Sequence, residues 1–574
     1  MKRVRPSALG GIVLMVAIAG GVTELGNSGQ DSLEVRARAF IRYYEEQVRP
    51  LEIAVNLAWW KANITGKDED FKAKEEAQNK LDAALSNRER FAELKALHGQ
   101  VKDRLLARQI HLLYLAHLEK QVDPELLRQI VSKANAVEKA FNVYRAKVGD
   151  REMTDSEVRR VFKQSTDSAY RQAVWEASKA VGSVVEKDLK ELVRLRNQAA
   201  RQLGFPDFHA LQLYINEQDQ AEVLRLFDEL DALTREPFRQ LKDRIDRVLA
   251  RQYGIAVSDL RPWHYKDPFF QESVADYTAD PQNPKPAADL DAIYAKADIV
   301  RICRDYYASF GLPVDDILAR SDLFEKPGKS PHAFCIDLDR EGDVRVLANI
   351  VANEYWMNTM LHELGHAVYS KYVPRSLPYV LRSESHILTT EGIAMMMERA
   401  SKQSAWAQAM GLQVPDAKAF DETGQRMLQA QLLIFSRWCQ VMLRFEKEMY
   451  ARPDQDLNKL WWDLVEKYQL VRRPDGRNAP DYASKIHIVS APCYYHNYML
   501  GEMFACQVHH TIAREVLHTT PDKALYVNRK EVGNFLKEKI FGAGRSLTWQ
   551  ELTRFATGQD LSPKAFALDF GASP

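Results

Sequence analysis

Between Ser32 and about Ala250, apolar residues recur at spacings of three and four, as in Ala37–Glu46 and Leu189–Gln198. Side chains at those intervals share one face of an α-helix, so this part of the chain reads as nearly continuous helix. Turn signals such as Gly204-Phe205-Pro206 separate the segments. Charged positions here mix both signs, as across residues 67–76, which is the pattern of a solvated helix face. The stretch Arg261–Ala288, rich in Pro, Asp and aromatic residues, reads as an ordered irregular connection. At Pro331–Ile350 the period changes to two. Short alternating runs at 333–339 and 344–349, separated by Arg340–Asp343, predict a β-hairpin. From Asn353 the helical pattern returns and continues almost to the C-terminus. There is no internal repeat, which predicts one large, mainly α catalytic unit with a small β-element.

Composition narrows the class. The chain has 574 residues, with 79 Lys and Arg against 79 Asp and Glu, so no global field favours nucleic acid or an anionic membrane. With 46% hydrophobic residues and only 26 Gly and 23 Pro, disordered and low-complexity classes are excluded. Five cysteines, an odd number with no CxxC spacing, argue against a disulfide framework and a thiolate zinc site.

The N-terminus has the order of a secretory signal. Lys2, Arg3 and Arg5 precede an uncharged run from Ala8 to Val22, within which Ala17-Ile18-Ala19 offers a cleavage site. The run falls short of the roughly 20 apolar residues a membrane span needs. Residues 1–19 are therefore expected to be a signal peptide, ending no later than 30, and 31–574 a single domain. The mature protein is expected to be secreted or periplasmic, free of the membrane after cleavage and monomeric, with no nucleic-acid partner.

His362-Glu363-Leu364-Gly365-His366 lies in a helical window. Histidines at i and i+4 share a helix face, so both imidazoles can reach one ion, with Glu363 placed to hold the attacking water. A catalytic zinc also needs a third protein ligand and an open position. Glu391, 25 positions after His366, stands amid the apolar residues of a second buried helix, where an unpaired carboxylate is costly. Glu398 could share that face but sits at the helix's polar end. Glu384 and His386 lie outside the helix, so Glu391 is the candidate third ligand. No third histidine follows in a metzincin spacing.

These residues resemble the M2 peptidases, the angiotensin-converting enzyme family. Other segments follow in family order: Ala58–Thr65, Val193–Phe205, Phe324–Pro327, Pro331–Phe334, Trp461–Gln469 and Lys485–Ser490. The resemblance implies a helical ellipsoid whose two halves flank a deep substrate channel, with helices at about 31–150 forming a lid. It implies one zinc ion on His362, His366 and Glu391, with Glu363 as general base. His332 and Ala333 correspond to the strand that pairs with substrate backbone. His487 would also bind that backbone, Tyr498 would donate to the oxyanion, and Lys485 with Tyr495 would hold the substrate's C-terminal carboxylate.

Several positions depart from the family pattern. The run from His487 to Tyr498 is one residue longer, which leaves Tyr494 as an alternative to Tyr495. Asn497 and Val465 stand where the animal enzymes carry chloride-binding arginines, so chloride activation is not expected. Met395 replaces the aspartate that orients a zinc histidine, and Pro331 replaces a disulfide cysteine. The glutamine of the carboxylate clamp has no counterpart near Asp291–Lys296. The leading expectation is an exported zinc peptidyl-dipeptidase that releases C-terminal dipeptides from oligopeptides by attack of zinc-bound water. The rivals are an M3-like oligopeptidase that cuts internally, a catalytically silent peptide-binding homologue, and the same enzyme tethered by an uncleaved signal.

Overall fold

The structure, a computed structural model, describes residues 32–272 and 288–571. The signal segment expected at 1–19 lies outside the described residues. No helix among the described residues is long and apolar enough to cross a membrane.

The chain divides into two compact units. Among the described residues, one consists of 32–55 together with Glu75–Gln121. Its helices start where the sequence supplies an acceptor for unpaired N–H groups: Asn87 caps Arg88–Leu97 and Asp103 caps Arg104–Leu118. Leu106, Ile110 and Leu113 recur on the buried face of the latter.

The other unit comprises Asn56–Lys74 and the described residues from Val122 onward, and it contains every candidate site residue. It is mainly α, with two small antiparallel sheets among the described residues. The hairpin of β1 (Ala146–Val148) and β2 (Arg151–Met153) interrupts the region read from sequence as continuous helix. Gly149, at φ +61°, opens a two-residue turn there, a conformation that favours glycine, and the local turn overrides the helical spacing around it. Helix α1 (Asp155–Gln164) follows, started by a reciprocal Thr154–Glu157 capping box, and then α2 (Ser168–Lys179). The expected second hairpin is present as β3 (Phe334–Asp337) and β4 (Val344–Leu347), with Phe334 opposite Leu347 and Asp337 opposite Val344. His332 and Ala333 precede β3 and lie outside the paired strand.

Five further helices hold candidate site residues or pack against them: α3 (Glu354–Tyr372), α4 (Ile387–Glu398), α5 (Ala417–Ala451), α6 (Ile486–Ser490) and α7 (His496–Thr511). The 35-residue α5 buries Trp438, Cys439, Val441 and Phe445, which places it in the core. All five cysteines are free, and four of them are buried.

Candidate active site

Helix α3 begins at Asn353, whose side chain accepts from the Trp356 N–H at 2.9 Å, and it carries His362, Glu363 and His366. Its approach to α4 depends on a missing side chain: a Cβ on Gly365 would sit 2.7 Å from the Ala394 Cα. Helix α4 meets α7 in the same way, since a Cβ on Gly392 would lie 2.7 Å from the Gly501 carbonyl oxygen. Glycine at these contacts lets three backbones come close enough for short side chains to converge.

His362, His366 and Glu391 do converge, with one ligand atom from each lying within 4.8 Å of the others. The two Nε2 atoms are 3.2 Å apart, and Glu391 Oε2 is 3.6 and 3.7 Å from them. Two ligands on a tetrahedral zinc are roughly 3.3 Å apart, so this set fits the two-nitrogen, one-oxygen donor pattern of a catalytic site. The remaining ring nitrogens are already engaged. His362 Nδ1–H donates to Glu398 at 2.6 Å, and His366 Nδ1 shares a hydrogen bond with Thr390 Oγ1 at 2.7 Å. Both imidazoles therefore turn Nε2 toward one point.

Glu398 thus supplies the orienting carboxylate absent at Met395. Its place seven residues after Glu391, two helical turns along the same face, was the signal available in the sequence. His386, outside the cluster, caps α4, accepting from the Leu388 N–H at 3.1 Å.

The electrostatics also suit a cation. Burial pushes the Glu391 carboxyl up, and it pushes Glu363 up to about 7, with Glu391 and Glu398 adding repulsion against the pull of His362. Burial pulls His362 down, but the hydrogen bond and charge of Glu398 outweigh it and raise the group to about 10. Glu363 is buried and accepts from the backbone N–H of Cys335 in β3. That contact ties the helix to the strand.

Lys485, 6% exposed, donates from Nζ to Gln271 Oε1 at 2.5 Å. Its ammonium lies 5.2 to 5.4 Å from the ring centres of Phe269, Trp438 and Tyr495. Gln271, which lies outside 291–296, is the glutamine beside the lysine expected to hold a terminal carboxylate. It stands on a turn organised by Asp267, whose carboxylate accepts from the N–H groups of Phe269, Gln271 and Glu272 at 2.8, 3.0 and 3.1 Å. Nothing local in the sequence pairs Gln271 with Lys485.

Rings link this lysine to the cluster of His362, His366 and Glu391. His487 meets Tyr495 at 4.8 Å, and Tyr498 meets Tyr495 at 5.4 Å and Tyr494 at 5.3 Å. Tyr494 shares a hydrogen bond with Tyr498, and both hydroxyls feel the Glu391 charge, which places Tyr494 at the metal end and Tyr495 at the lysine end. Burial raises Tyr498 to about 12 and lowers His487 to about 4, so both are neutral near pH 7. The exposed His332 lines, together with Lys485 and Gln271, a cavity of about 620 Å³.

Within the run from His487 to Tyr498, Cys493 has a φ of +59°. Its N–H donates at 2.8 Å to the buried Glu446 of α5. Asn497 takes part in a neutral buried network, accepting from Gln218 Nε2 at 2.7 Å while Gln218 Oε1 bonds His496 at 2.7 Å. Val465 lines a small cavity with Lys179 and Asp481, and Asp481 accepts from Trp462 Nε1 at 3.1 Å and from Arg477 at 2.6 and 2.7 Å.

A family model described as Peptidase M2, angiotensin-converting enzyme, matches residues 31–570. The chain is 23% identical over 441 residues to the angiotensin-converting enzyme of Rattus norvegicus, which takes in 72% of this chain and 33% of that protein. It is 22% identical over 431 residues to that of Bos taurus, covering 71% and 32%. With the angiotensin-converting enzyme of Theromyzon tessulatum it shares 22% over 298 residues, 48% of each. The chain spans about a third of the length of the mammalian relatives it matches.

Proposed function

The chain belongs to the angiotensin-converting enzyme family of peptidases, and from that premise we propose that it is an exported, monomeric zinc metallopeptidase that releases dipeptides from the free C-terminus of oligopeptides. The observation that carries this reading is the convergence of His362, His366 and Glu391 beside the buried Glu363. The dipeptide register rests on Lys485, with Gln271 and Tyr495 around it, as the counter-charge for a terminal carboxylate.

His362, His366 and Glu391 would hold zinc, which when bound polarises a scissile carbonyl and makes water a nucleophile near neutral pH. Glu363 accepts the proton of the attacking water and returns it to the leaving amine as the C–N bond breaks, work suited to a carboxyl near pH 7. Tyr498, a protonated phenol, donates to the developing oxyanion. His487, neutral, and the segment His332-Ala333 hold the peptide backbone. Chloride has no role in this reading: Asn497 is satisfied by Gln218, and the carboxylate of Asp481 already supplies negative charge beside Lys179.

The test is mass spectrometry of products from one unstructured decapeptide, with a free or an amidated C-terminus, given to the zinc-loaded enzyme and to Glu363→Gln. Stepwise loss of dipeptides from the free acid, reduced by about three orders of magnitude in the variant, is the expected result. Internal cuts on both peptides would move the protein to the oligopeptidase reading, and no cleavage by zinc-loaded wild type would leave a peptide-binding homologue.

A further inference from the structure

Six cationic side chains line the cavity that holds Lys485, namely Arg145, Arg159, Lys163, Lys179, Lys266 and Lys485, against three carboxylates. One of the carboxylates, Asp267, is committed to three backbone N–H groups of its own turn. Lys485 is held by Gln271, and the 4% exposed Lys179 has its ammonium 3.1 Å above the ring of Phe269. Arg159 and Lys163 are different. Both are exposed, and neither has a carboxylate partner among the described residues.

They stand four residues apart on α1, the spacing at which side chains are neighbours on one helix face. Like charges at that spacing cost a helix a few tenths of a kcal/mol, a cost that a passing anion would relieve. Glu157, also on α1, is paired with Arg151 at 2.7 Å. Arg159 is also close enough to Lys485 to help depress the lysine's proton affinity. A peptide whose terminal carboxylate sits at Lys485 therefore places its last side chain in the field of a second, unsatisfied pair of cations.

We propose that this cavity selects peptides ending in Asp or Glu, with Arg159 and Lys163 receiving the side-chain carboxylate of the terminal residue. The inference rests on the peptidyl-dipeptidase reading above and adds a substrate class to it. A volume of about 620 Å³ lies within the range of small-molecule sites and accommodates a dipeptide. Two partly solvated cations acting together give a preference of about tenfold.

The experiment compares kcat/KM for three decapeptides that differ only in a terminal Glu, Gln or Lys. Wild type should prefer Glu to Gln by about tenfold, less at high salt. In Arg159→Gln/Lys163→Gln that ratio should fall to near one, and in Arg159→Glu/Lys163→Glu the preference should turn to the Lys-terminated peptide. That gain cannot be produced by a misfolded variant. Equal rates for Glu and Gln in wild type, or a Glu preference that survives charge reversal, would overturn the proposal. To separate it from the cleavage register, calorimetry on zinc-loaded Glu363→Gln measures binding of the free dipeptides Ala-Glu and Ala-Gln. Tighter binding of Ala-Glu that is lost on charge reversal supports the cavity even if cleavage proves internal, whereas equal binding refutes it.

Discussion

His362, His366 and Glu391 are carried by two helices that touch where Gly365 faces Ala394, while Lys485 and Gln271 come from irregular segments 214 positions apart. At the metal end the orienting contacts run between regular elements, from α3 to α4, from α4 to α7 and from β3 to α3. At the lysine end the geometry depends on a turn held by one carboxylate, Asp267, and on aromatic faces packed around an ammonium. Helix contacts leave little freedom, which suits ligands that must meet within tenths of an ångström. A charged group in a cavity tolerates looser placement, because Coulomb attraction falls slowly with distance.

The largest effect is expected where the three candidate ligands meet. Glu398→Gln removes the charge that orients His362, and zinc affinity should fall by about 10- to 100-fold in metal-buffered titrations, with peptide KM little changed once the site is loaded. If zinc affinity is unaffected, α3 and α4 alone set the ligand geometry. At the other end, Lys485→Gln should raise KM for a free-acid peptide by about 30-fold, equal to about 2 kcal/mol for a lost charge-assisted hydrogen bond, and leave zinc content intact. An unchanged KM would remove Lys485 from substrate binding.

A third, smaller effect follows from burial, which holds the Lys485 ammonium down to about 8, against the opposing pull of Asp267 and Glu272. The cationic form is the one that binds a carboxylate, so it is present below about pH 8 and lost above it. The kcat/KM for free-acid peptides should then decline above that pH, by up to about tenfold per unit, and the decline should be missing for amidated peptides or in Lys485→Gln. The smallest effect is a null: rates with chloride and with a weakly binding anion at equal ionic strength should agree, because Asn497 and Asp481 are already paired. Strong chloride activation would show that an anion still organises one of these places.

Much of this molecule is legible without coordinates, and the boundary is instructive. Helical spacing predicted most of the helices, alternation predicted the 334–347 hairpin, and i to i+4 placement predicted that His362 and His366 share a face. The β1–β2 hairpin was hidden because a two-residue turn at Gly149-Asp150 leaves too short a pattern to interrupt the surrounding helical period. Glu398 was visible as a carboxylate on the face of Glu391, but its polar neighbours pointed to solvent, and only the approach of α3 shows that His362 is its partner. Gln271 was invisible, since no periodicity connects residue 271 to residue 485.

The sequence by itself therefore determined what short-range physics controls: which segments are helical, which faces are apolar, and which two histidines point the same way. Tertiary structure decided what requires two distant segments to meet. It brought Glu398 to His362, Gln271 to Lys485, Glu446 to the left-handed Cys493 and Asn497 to Gln218. Each of these pairs is a buried or half-buried polar group whose desolvation is offset only by a partner, and the identity of that partner is set by packing that a local pattern does not encode.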